Sequence, residues 1–189
     1  MNRKIIKSTP FGAVGLLWVR LKDKPKIVRV LLSKPGISAE ARVSELYSNS
    51  QPSSCLEIED VANAIKRMLE GEDVKFSLRV ADFSLCTEFQ KRVIRAEHRI
   101  PRGSVSTYQL IAEYLGKRKG ARAVGNALAN NPFPLIVPCH RAIRSDRRLG
   151  GYQGGVGMKR ALLEREGILF DIFGRVTGNK LFYKRFKAN

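Results

Sequence analysis

The chemically most informative part of the chain is the proline-bounded run Asn131–Arg141, which reads NPFPLIVPCHR. Each proline fixes φ and removes a backbone donor, so the run is neither an ordinary helix nor a central strand. Near its end, Cys139 is followed directly by His140 and then by an arginine. Nearby positive charge lowers a thiol pKa from about 8.5 and increases the fraction of reactive thiolate. We therefore expect Cys139 to be a nucleophile, with a water relaying its proton to His140.

A buried structural role is the alternative for any lone cysteine, because cysteine often packs as a small apolar side chain. We expect that role for Cys55 and Cys86. No two of the three cysteines have CxxC spacing, so a structural zinc site is not expected. An odd number of cysteines without an export signal indicates reduced thiols. The sequence also lacks phosphate-loop patterns, and we expect neither a metal nor a cofactor.

The elements that must position this run are predicted to be helical. Apolar spacing predicts a helix that begins near Leu85 or Thr87 and stops before Pro101. Thr107 then caps a short helix, and a basic connection leads into a second one, Ala121–Asn130. Two short helices joined by a tight glycine-containing turn are typical of a DNA-binding helix-turn-helix. Ordinary helices joined by a solvated basic loop are the alternative.

The second of these helices has an unusually small surface. Its small residues are Ala121, Ala123, Gly125, Ala127 and Ala129. Arg122 is the only long polar side chain near its start. A helix this slim can bring its backbone close to a narrow surface. Tight packing inside the protein is the alternative, because small residues favour that as well.

The first 80 residues predict a small α/β domain with an antiparallel sheet. Phe11–Leu21 and Ile27–Leu32 are apolar runs on either side of a turn, which indicates a hairpin. Helices are predicted over Ala39–Tyr47 and Glu57–Glu70, where capping residues and apolar spacing coincide. Alternating apolar residues over Val74–Val80 predict one more extended segment.

The charge of the chain points to a polyanionic partner. Its 189 residues carry a formal net charge of +18, and the isoelectric point is near 10.3. Residues 1–80 hold 14 basic and 9 acidic side chains, whereas residues 81–189 hold 21 and 8. Such a field attracts nucleic acid and predicts a steep salt dependence of binding. A thermophile's charged surface or a ribosomal RNA-bound protein would carry a similar charge.

Hydrophobicity excludes some other classes of protein. With 43% hydrophobic residues the chain can bury a core, which argues against global disorder. No apolar stretch approaches the roughly 20 residues that cross a bilayer. The run Phe11–Val19 is too short for a signal peptide and lacks a cleavage site. We therefore expect a cytoplasmic protein that is not associated with a membrane.

The second half of the chain resembles a known family, the O6-alkylguanine-DNA alkyltransferases. The tetrapeptide Pro138–Arg141, preceded by an apolar triplet, is similar to that family's signature. The other matching segments are Ile100–Gly103 with Thr107 and Tyr108, Gly120–Gly125, Asn130–Pro132, Leu149–Gly155 and Lys159–Gly167. The resemblance runs without a gap from about Phe89 to Gly167. Over the first 80 residues it extends only to the general pattern.

The resemblance implies a set of catalytic residues. Cys139 would accept the alkyl group, His140 would act as a base through a water, and Glu166 would hold the imidazole. Asn131 would brace the turn between the recognition helix and the active site. Tyr152 would contact the flipped guanine and assist the leaving oxygen.

The resemblance also implies a set of DNA contacts. Arg122 would enter the duplex from the minor groove and fill the gap left by the departing base. Tyr108 would crowd a phosphate and help rotate the nucleotide out. Ala123, Ala129 and Arg141 complete the expected DNA-contacting set.

The expected substrate pocket contains Pro134, Ala142 and Gln153 together with Tyr152. The backbone at Cys139 and Ala142 would read the exocyclic amine of guanine, and the Gln153 amide would read the O6 side. The family commonly has valine where this chain has Ala142, and the effect should be minor because the contact is through backbone. Gln153 is bulkier than the family's usual residue and would narrow the range of alkyl groups accepted.

Three regions are expected from the resemblance and the charge pattern. They are the α/β domain over residues 1–80, a mainly helical winged-helix/helix-turn-helix catalytic domain over 81–170, and a basic C-terminal extension over 171–189. The basic side chains of the extension are Arg175, Lys180, Lys184, Arg185 and Lys187. They predict extra attraction for phosphates, with a solvated tail of no specific role as the alternative.

The implied function is stoichiometric repair of double-stranded DNA that contains O6-alkylguanine, with O4-alkylthymine as a second candidate lesion. Attack by a thiolate on the alkyl carbon gives a thioether that water does not displace, so each molecule, acting as a monomer, reacts once. Two other functions are weighed against this one. A non-catalytic lesion sensor on the same fold is disfavoured by the cysteine itself. A cysteine hydrolase or thiol redox protein is disfavoured because there is no resolving CxxC partner and no hydrolase signature.

Overall fold

A computed structural model of the chain describes residues 1–178 and 180–184. These residues form two compact units. The first contains Met1–Leu85 and, from much further along the chain, Pro132–Ile136. The second contains Cys86–Asn131 and the described residues from Val137 onward. In the described part of the chain no helix has both the length and the apolar character needed to span a membrane.

The sheet of the first unit is built on the predicted hairpin, which the structure confirms. Strand β1 (Asn2–Ile6) pairs antiparallel with β2 (Val14–Leu21), which pairs antiparallel with β3 (Lys24–Leu32). Lys22 and Asp23 form the two-residue turn with φ of 49° and 62°. Positive φ at both positions is the geometry that matches the twist of a tight hairpin.

Two helices of the first unit are confirmed as well. Helix α1 (Ala39–Leu46) begins at Ser38, whose side chain accepts a hydrogen bond from the Ala41 amide. Strand β4 (Gln51–Pro52) follows and pairs parallel with β1, so the four-stranded sheet is mixed, in the order β3-β2-β1-β4. A proline is tolerated there because β4 is an edge strand.

Helix α2 (Leu56–Glu70) carries the apolar face expected from its sequence. Its buried residues are Ile58, Val61, Ala62, Ile65, Met68 and Leu69. Gly71 ends the helix in the left-handed conformation, with φ of 110°, and its amide donates to the Met68 carbonyl. This conformation costs glycine little because it has no Cβ.

The expected extended segment over Val74–Val80 is wrong. Phe76 is buried between exposed neighbours, so the alternation of side chains is real, but the backbone forms no strand there. Instead, a 3-10 turn spans Leu78–Val80 and begins at Ser77. An alternating pattern reports which side chains face inward, whereas a strand also requires a partner for its backbone.

The segment Pro132–Ile136 is held in the first unit by backbone and ring contacts. The Val30 amide of β3 donates to the Pro132 carbonyl at 2.8 Å. The Phe133 ring packs edge-on against Phe83, with 5.1 Å between the ring centroids. Leu135 has φ of 74°, which a residue with a branched side chain rarely adopts. The run that leads to Cys139 is therefore shaped by packing as well as by its prolines.

The second unit contains the helix-turn-helix. Helix α3 (Glu88–His98) is followed by β5 (Ser106–Thr107), α4 (Tyr108–Tyr114) and α5 (Ala121–Ala129). The helices share one core, formed by Val93, Ala96, Ile100, Ile111, Ala112, Val124 and Leu128. The predicted cap at Thr107 is confirmed, because its side chain accepts from the Leu110 amide at 3.0 Å.

The rest of the second unit begins after the nucleophile run. Strand β6 (Ala142–Ile143) pairs parallel with β5, and Ile143 forms an antiparallel bridge with Leu149 across a short wing. Helix α6 (Val156–Arg165) follows and buries Met158, Lys159, Leu162 and Leu163. The fold is therefore the predicted α/β unit together with a helical winged-helix unit.

The described part of the C-terminal extension packs against the second unit. The Phe182 amide donates to the Val105 carbonyl at 2.7 Å, and Leu181 bridges Val105. Tyr183 is buried, stacks on Tyr114 with 4.1 Å between centroids, and donates its hydroxyl to the Ala96 carbonyl at 2.8 Å. The basic side chains Arg175, Lys180 and Lys184 are exposed, whereas Arg185 and Lys187 lie outside the described residues.

Candidate active site

The nucleophile candidate lies on a 3-10 turn, Cys139–Arg141, directly after Pro138. The Cys139 amide donates to the Val137 carbonyl at 2.7 Å, and the Arg141 amide donates to the Pro138 carbonyl at 2.8 Å. The turn continues into β6, which pairs with β5 immediately before α4. This two-residue ladder therefore fixes the cysteine relative to the start of the helix-turn-helix.

A cavity of about 240 Å³ opens beside Cys139. It is lined by Tyr108, Gly125, Leu128, Ala129, Cys139, Gly151, Tyr152 and Gln153. Five residues from the expected sites thus meet at one cavity, and its lining is mostly apolar with a few polar groups, as ligand sites commonly are. The Tyr152 hydroxyl is buried and, within the described residues, has no hydrogen-bond partner. It is therefore free to donate to a ligand.

His140 and Glu166 form a buried pair. His140 Nε2 lies 2.9 Å from Glu166 Oε1, and Arg141 holds the same carboxylate through Nε at 2.9 Å and Nη2 at 2.8 Å. Burial raises the pKa of Glu166, but hydrogen bonds and charges from His140 and Arg141 outweigh it and lower the pKa to about 2. The carboxylate is therefore ionised and can only accept hydrogen bonds.

The ionised carboxylate determines the tautomer of His140. Because the Glu166 carboxylate can only accept hydrogen bonds, His140 Nε2 carries the ring proton and donates a hydrogen bond to Glu166 Oε1. The other ring nitrogen, Nδ1, is buried and has no partner among the described residues. Burial lowers the pKa of His140, and the attraction of Glu166 only partly opposes this. The imidazole is therefore neutral, with the lone pair of Nδ1 available to take a proton.

The expectation of a lowered thiol pKa at Cys139 is wrong. Cys139 is 5% exposed, and burial raises its pKa to about 12. A hydrogen bond from the Asn131 side chain and the charge of Lys159 act in the opposite direction but are weaker. The expectation took account of the basic residues adjacent in sequence but not of the free-energy cost of removing a thiolate from water. In the resting protein the sulfur therefore carries its proton.

The expected DNA contact by Arg141 needs correction. The Arg141 side chain is only 11% exposed, and besides holding Glu166 its Nη1 donates to the Ile100 carbonyl at 2.6 Å. A phosphate could reach this guanidinium only by displacing a buried ion pair. We therefore assign Arg141 to the His140–Glu166 pair instead of to the DNA surface.

Gln153 and Asn131 connect the loop over the cavity to the end of α5. The Gln153 side-chain amide donates to the carbonyls of Ala129 at 3.2 Å and Asn131 at 2.6 Å. The side chain of Asn131 in turn acts on the Cys139 thiol. Because its side-chain amide is already engaged, Gln153 contributes to positioning the loop, and only its backbone would remain for reading a base.

Two expected pocket residues lie away from the cavity lining. Ala142 is buried, and its carbonyl accepts from Lys159 Nζ at 2.6 Å. Pro134 is buried and belongs to the first compact unit. Their roles in a substrate pocket stay predictions.

Lys159 is a site residue that sequence reasoning missed. It is fully buried, its Nζ donates to the Ala142 carbonyl, and its charge lies 5.8 Å from the centroid of the Tyr108 ring. Burial lowers its pKa to about 8. A signal was present, because Lys159 shares the apolar face of its helix with Leu162 and Leu163, at spacings of three and four residues.

A more open groove of about 610 Å³ adjoins the cavity and shares Tyr108 and Gly125 with it. Its other lining residues are Ala121, Arg122, Asn126, Arg144, Ser145 and Asp146. Arg122, Ala123 and Ala129 are exposed on α5, and no atom lies within 4 Å of the position of a Cβ on Gly125. The slim face of the second helix therefore points outward, and the alternative of tight internal packing does not apply to that face.

Comparison with known proteins gives the same family throughout. Residues 88–168 match the family model described as 6-O-methylguanine DNA methyltransferase, DNA binding domain. A methylated-DNA–protein-cysteine methyltransferase of Methanothermobacter thermautotrophicus is 48% identical over 122 residues, which cover 65% of this chain and 68% of that protein. One of Methanosarcina acetivorans is 42% identical over 120 residues, covering 61% and 76%.

Solved structures agree with these sequence relatives. The Mycobacterium tuberculosis OGT in complex with DNA superimposes with a TM-score of 0.70 at 30% identity, over 88% of this chain and 92% of that chain. The O6-methylguanine-DNA methyltransferase of Pyrococcus kodakaraensis gives 0.66 at 25% identity, over 88% and 99%. The chain therefore belongs to the methylated-DNA–protein-cysteine methyltransferase family.

Proposed function

We propose that this protein repairs DNA by transferring an alkyl group from O6 of guanine in duplex DNA to Cys139. The observation that carries the proposal is the placement of the Cys139 thiol in a cavity that also holds an unpartnered Tyr152 hydroxyl. An everted base in that cavity would meet a nucleophile and a hydrogen-bond donor together. The names of the relatives, which specify methylated DNA and a cysteine acceptor, support the same reaction.

The transfer is a single displacement at carbon. The thiol proton passes through a water to Nδ1 of His140, and Glu166 balances the imidazolium that forms. The sulfur then bonds to the alkyl carbon while the bond from that carbon to O6 breaks, and the electron pair stays on the oxygen. Tyr152 donates a hydrogen bond to the leaving oxygen. The guanine anion then takes up one proton, which balances the proton that the thiol released to His140, and the products are a thioether on Cys139 and an unmodified guanine.

The raised thiol pKa restricts when this reaction occurs. In the resting state burial keeps Cys139 protonated, so electrophiles that enter by chance meet a weak nucleophile. A bound O6-alkylguanine brings the reactive carbon and the hydrogen bonds that favour proton transfer to His140. Because the thioether cannot be reversed by water, each molecule acts once.

The reaction requires the damaged nucleotide to leave the helix, since O6 is stacked inside the duplex. We assign this step to α5 and the adjoining groove. Arg122 is exposed on the slim face of α5, where it can enter a minor groove about 6 Å wide and fill the vacated position. Tyr108 lines both the groove and the nucleophile cavity, so it can act on the rotating nucleotide. The second compact unit of one chain supplies all these groups, and we take the acting form to be a monomer.

The test is the intact mass of the protein after mixing with an oligonucleotide that contains O6-methylguanine. We expect the mass of one methyl group per protein, mapped to the Cys139 peptide. Cys139→Ala should gain no methyl group and should still bind the oligonucleotide, whereas Cys55→Ala, the matched control, should be methylated normally. Binding without methyl transfer would instead identify a lesion sensor. Methylation of the Cys139→Ala protein would refute the assignment of the nucleophile.

A further inference from the structure

Glu97 is a buried carboxyl group that the proposed reaction does not use. It lies on α3, where Val93, Ile94 and Ala96 are also buried, and it is fully buried itself. Within the described residues, neither of its carboxylate oxygens has a hydrogen-bond partner. Burying an unpartnered carboxyl costs free energy that an apolar residue at this position would avoid. Stability therefore does not explain its presence.

The surroundings of Glu97 connect it to the nucleophile turn. The charges of Lys159 and Arg141 act on its carboxyl group, and the backbone amide of Ala142 acts on it as well, although without the geometry of a well-formed hydrogen bond. Lys159 also donates to the carbonyl of Ala142. Glu97 from α3 and Lys159 from α6 thus meet at the backbone three residues after Cys139.

The two groups act on the sulfur in opposite directions. The charge of Glu97 raises the pKa of Cys139, and that of Lys159 lowers it. We infer that Glu97 is a positioning residue for the alkyl transfer, because its carboxyl group, buried next to Lys159 and the Cys139–Ala142 turn, controls the net charge that the thiol experiences. This inference rests on the proposed function and adds a regulation of the same site.

The expected behaviour depends on pH. Burial raises the pKa of Glu97 to about 8 and lowers that of Lys159 to about 8. Below that pH the carboxyl group is neutral and the ammonium is charged, which favours a thiolate at Cys139. Above it the carboxylate is charged and the amine is neutral, which opposes a thiolate. The groups that interact with Glu97 are Arg141 and Cys139 of the 3-10 turn, Tyr108 of α4, Lys159 of α6 and Tyr183 of the C-terminal segment.

Of these interacting groups, only Lys159 titrates near the same pH as Glu97. The pKa values of Tyr108 and Cys139 are raised to about 12, and burial also raises that of Tyr183. The reactivity of Cys139 should therefore increase with pH up to about 8 and flatten above it, although the thiol itself is far from titrated.

The experiment measures the rate at which iodoacetamide labels Cys139 in the full-length protein between pH 6 and 10, read from the mass of the Cys139 peptide. For Glu97→Gln we expect the wild-type rate at pH 6.5 and a rate roughly 3- to 10-fold higher at pH 9, since one pKa unit corresponds to tenfold in thiolate. Glu97→Met, which is apolar and of similar length, should give the same change. Glu88→Gln removes an exposed carboxylate from the same helix and should leave the profile unchanged.

Parallel reactions with the O6-methylguanine oligonucleotide separate this inference from the proposed function. Failure of the wild type to take up a methyl group would overturn the proposed function, while the iodoacetamide profiles would still report on Glu97. A profile that keeps the wild-type flattening above pH 8 in both Glu97 variants would overturn the inference. So would an equal change in Glu88→Gln.

Discussion

At the scale of single residues, the proposed nucleophile and its proposed base are both in neutral forms. Cys139 and His140 are both buried, and in each case burial disfavours the charged form. The ionised Glu166 is the exception, because three hydrogen bonds from Arg141 and one from His140 satisfy it. The negative charge that will stabilise an imidazolium is therefore already in place, whereas the thiolate must be generated.

The proposed role of the Glu166 carboxylate can be tested by a substitution that keeps the shape of the side chain. In Glu166→Gln the amide cannot provide the charge that balances imidazolium, and Arg141 loses its counter-ion. We expect transfer to O6-benzylguanine to slow by about 10- to 100-fold. The free energy of unfolding should fall by about 3 kcal/mol, as for other broken buried ion pairs. Stopped-flow single-turnover rates and urea unfolding measure the two effects.

The control for this prediction is Glu164→Gln, which removes an exposed carboxylate paired with Arg160 on the same helix. It should change neither quantity appreciably. The pH dependence gives a further check. Because the pKa of Glu166 in the folded protein is about 2, below its ordinary value of 4.5, its stabilisation is present above pH 4.5 and lost as the pH falls toward 2. That loss should be absent from Glu166→Gln. An unchanged transfer rate would remove Glu166 from the relay.

The sequence was sufficient to assign some residues to the site and insufficient for others. Cys139, Tyr152 and Gln153 could be placed at one site because they belong to recognisable local motifs. The state of the thiol could not be predicted, since its pKa depends on burial by parts of the chain distant in sequence. Glu97 and Lys159 were missed for a related reason. A charged residue on an apolar helix face usually reaches solvent at the edge of that face, and only the packed structure shows that these two do not.

At the scale of elements, α5 presents a surface suited to a narrow groove. Val124 and Leu128 anchor one face in the core, while Arg122, Ala123 and Ala129 are exposed on the other. Small side chains let the helix backbone approach a ligand closely, and one long side chain near the start can reach further. On the proposed function, this element would recognise the duplex separately from the chemistry at Cys139.

That separation predicts a selective effect of Arg122→Ala. Loss of the side chain should slow methyl transfer from duplex DNA by roughly 30-fold, corresponding to about 2 kcal/mol of support for the opened stack. The reaction with free O6-benzylguanine, which needs no base flipping, should stay within about twofold of the wild type. Single-turnover rates with the two substrates provide the measurement.

Lys119→Ala is the matched control for Arg122→Ala, since it removes one exposed positive charge from the connection before α5. It should weaken duplex binding modestly through the phosphates and leave the transfer rate at saturating DNA unchanged. Equal losses on duplex and free base for Arg122→Ala would rule out a role in holding the flipped state.

Secondary-structure elements could be predicted where the sequence signal lies within a few neighbouring residues. The hairpin, the cap at Ser38 and the cap at Thr107 are set by residues within a few positions, and all could be predicted, although the turn proved shorter than expected because Lys24 and Pro25 belong to β3. The parallel strand Gln51–Pro52 exists because of its pairing with the start of the chain, and the segment Val74–Val80 is not a strand of the sheet. Pairing between distant segments leaves no comparable local pattern.

At the scale of the whole molecule, the chain does not divide at a single point. Pro132–Ile136 belongs to the first compact unit, whereas Asn131 on one side and Cys139 on the other belong to the second. Contiguous domains over 1–80 and 81–170 remain a prediction, and a returning segment of five residues has no compositional marker that would reveal it. The chain therefore returns to the second unit at Val137, two residues before Cys139.

The prediction at the scale of the whole molecule concerns the contribution of the C-terminal segment to stability. The Tyr183 ring joins the core of the second unit, where it stacks on Tyr114, and its hydroxyl bonds to the carbonyl of Ala96. Tyr183→Ala should therefore lower the free energy of unfolding by about 3 to 5 kcal/mol, as expected for losing a buried aromatic ring. Tyr183→Phe keeps the ring and loses one hydrogen bond, so it should cost only about 1 kcal/mol.

Urea unfolding of these variants distinguishes a docked extension from a solvated tail. Phe173→Ala is the control, because this ring lies in the same segment but is 68% exposed, and it should change stability by less than about 0.5 kcal/mol. Since Ala96 adjoins Glu97 on α3, loosening Tyr183 should also admit water to that carboxyl group and bring its pKa closer to 4.5. If Tyr183→Ala unfolded at the same urea concentration as Phe173→Ala, the Tyr183 ring would contribute nothing measurable to the stability of the folded core, and the docked extension would be refuted.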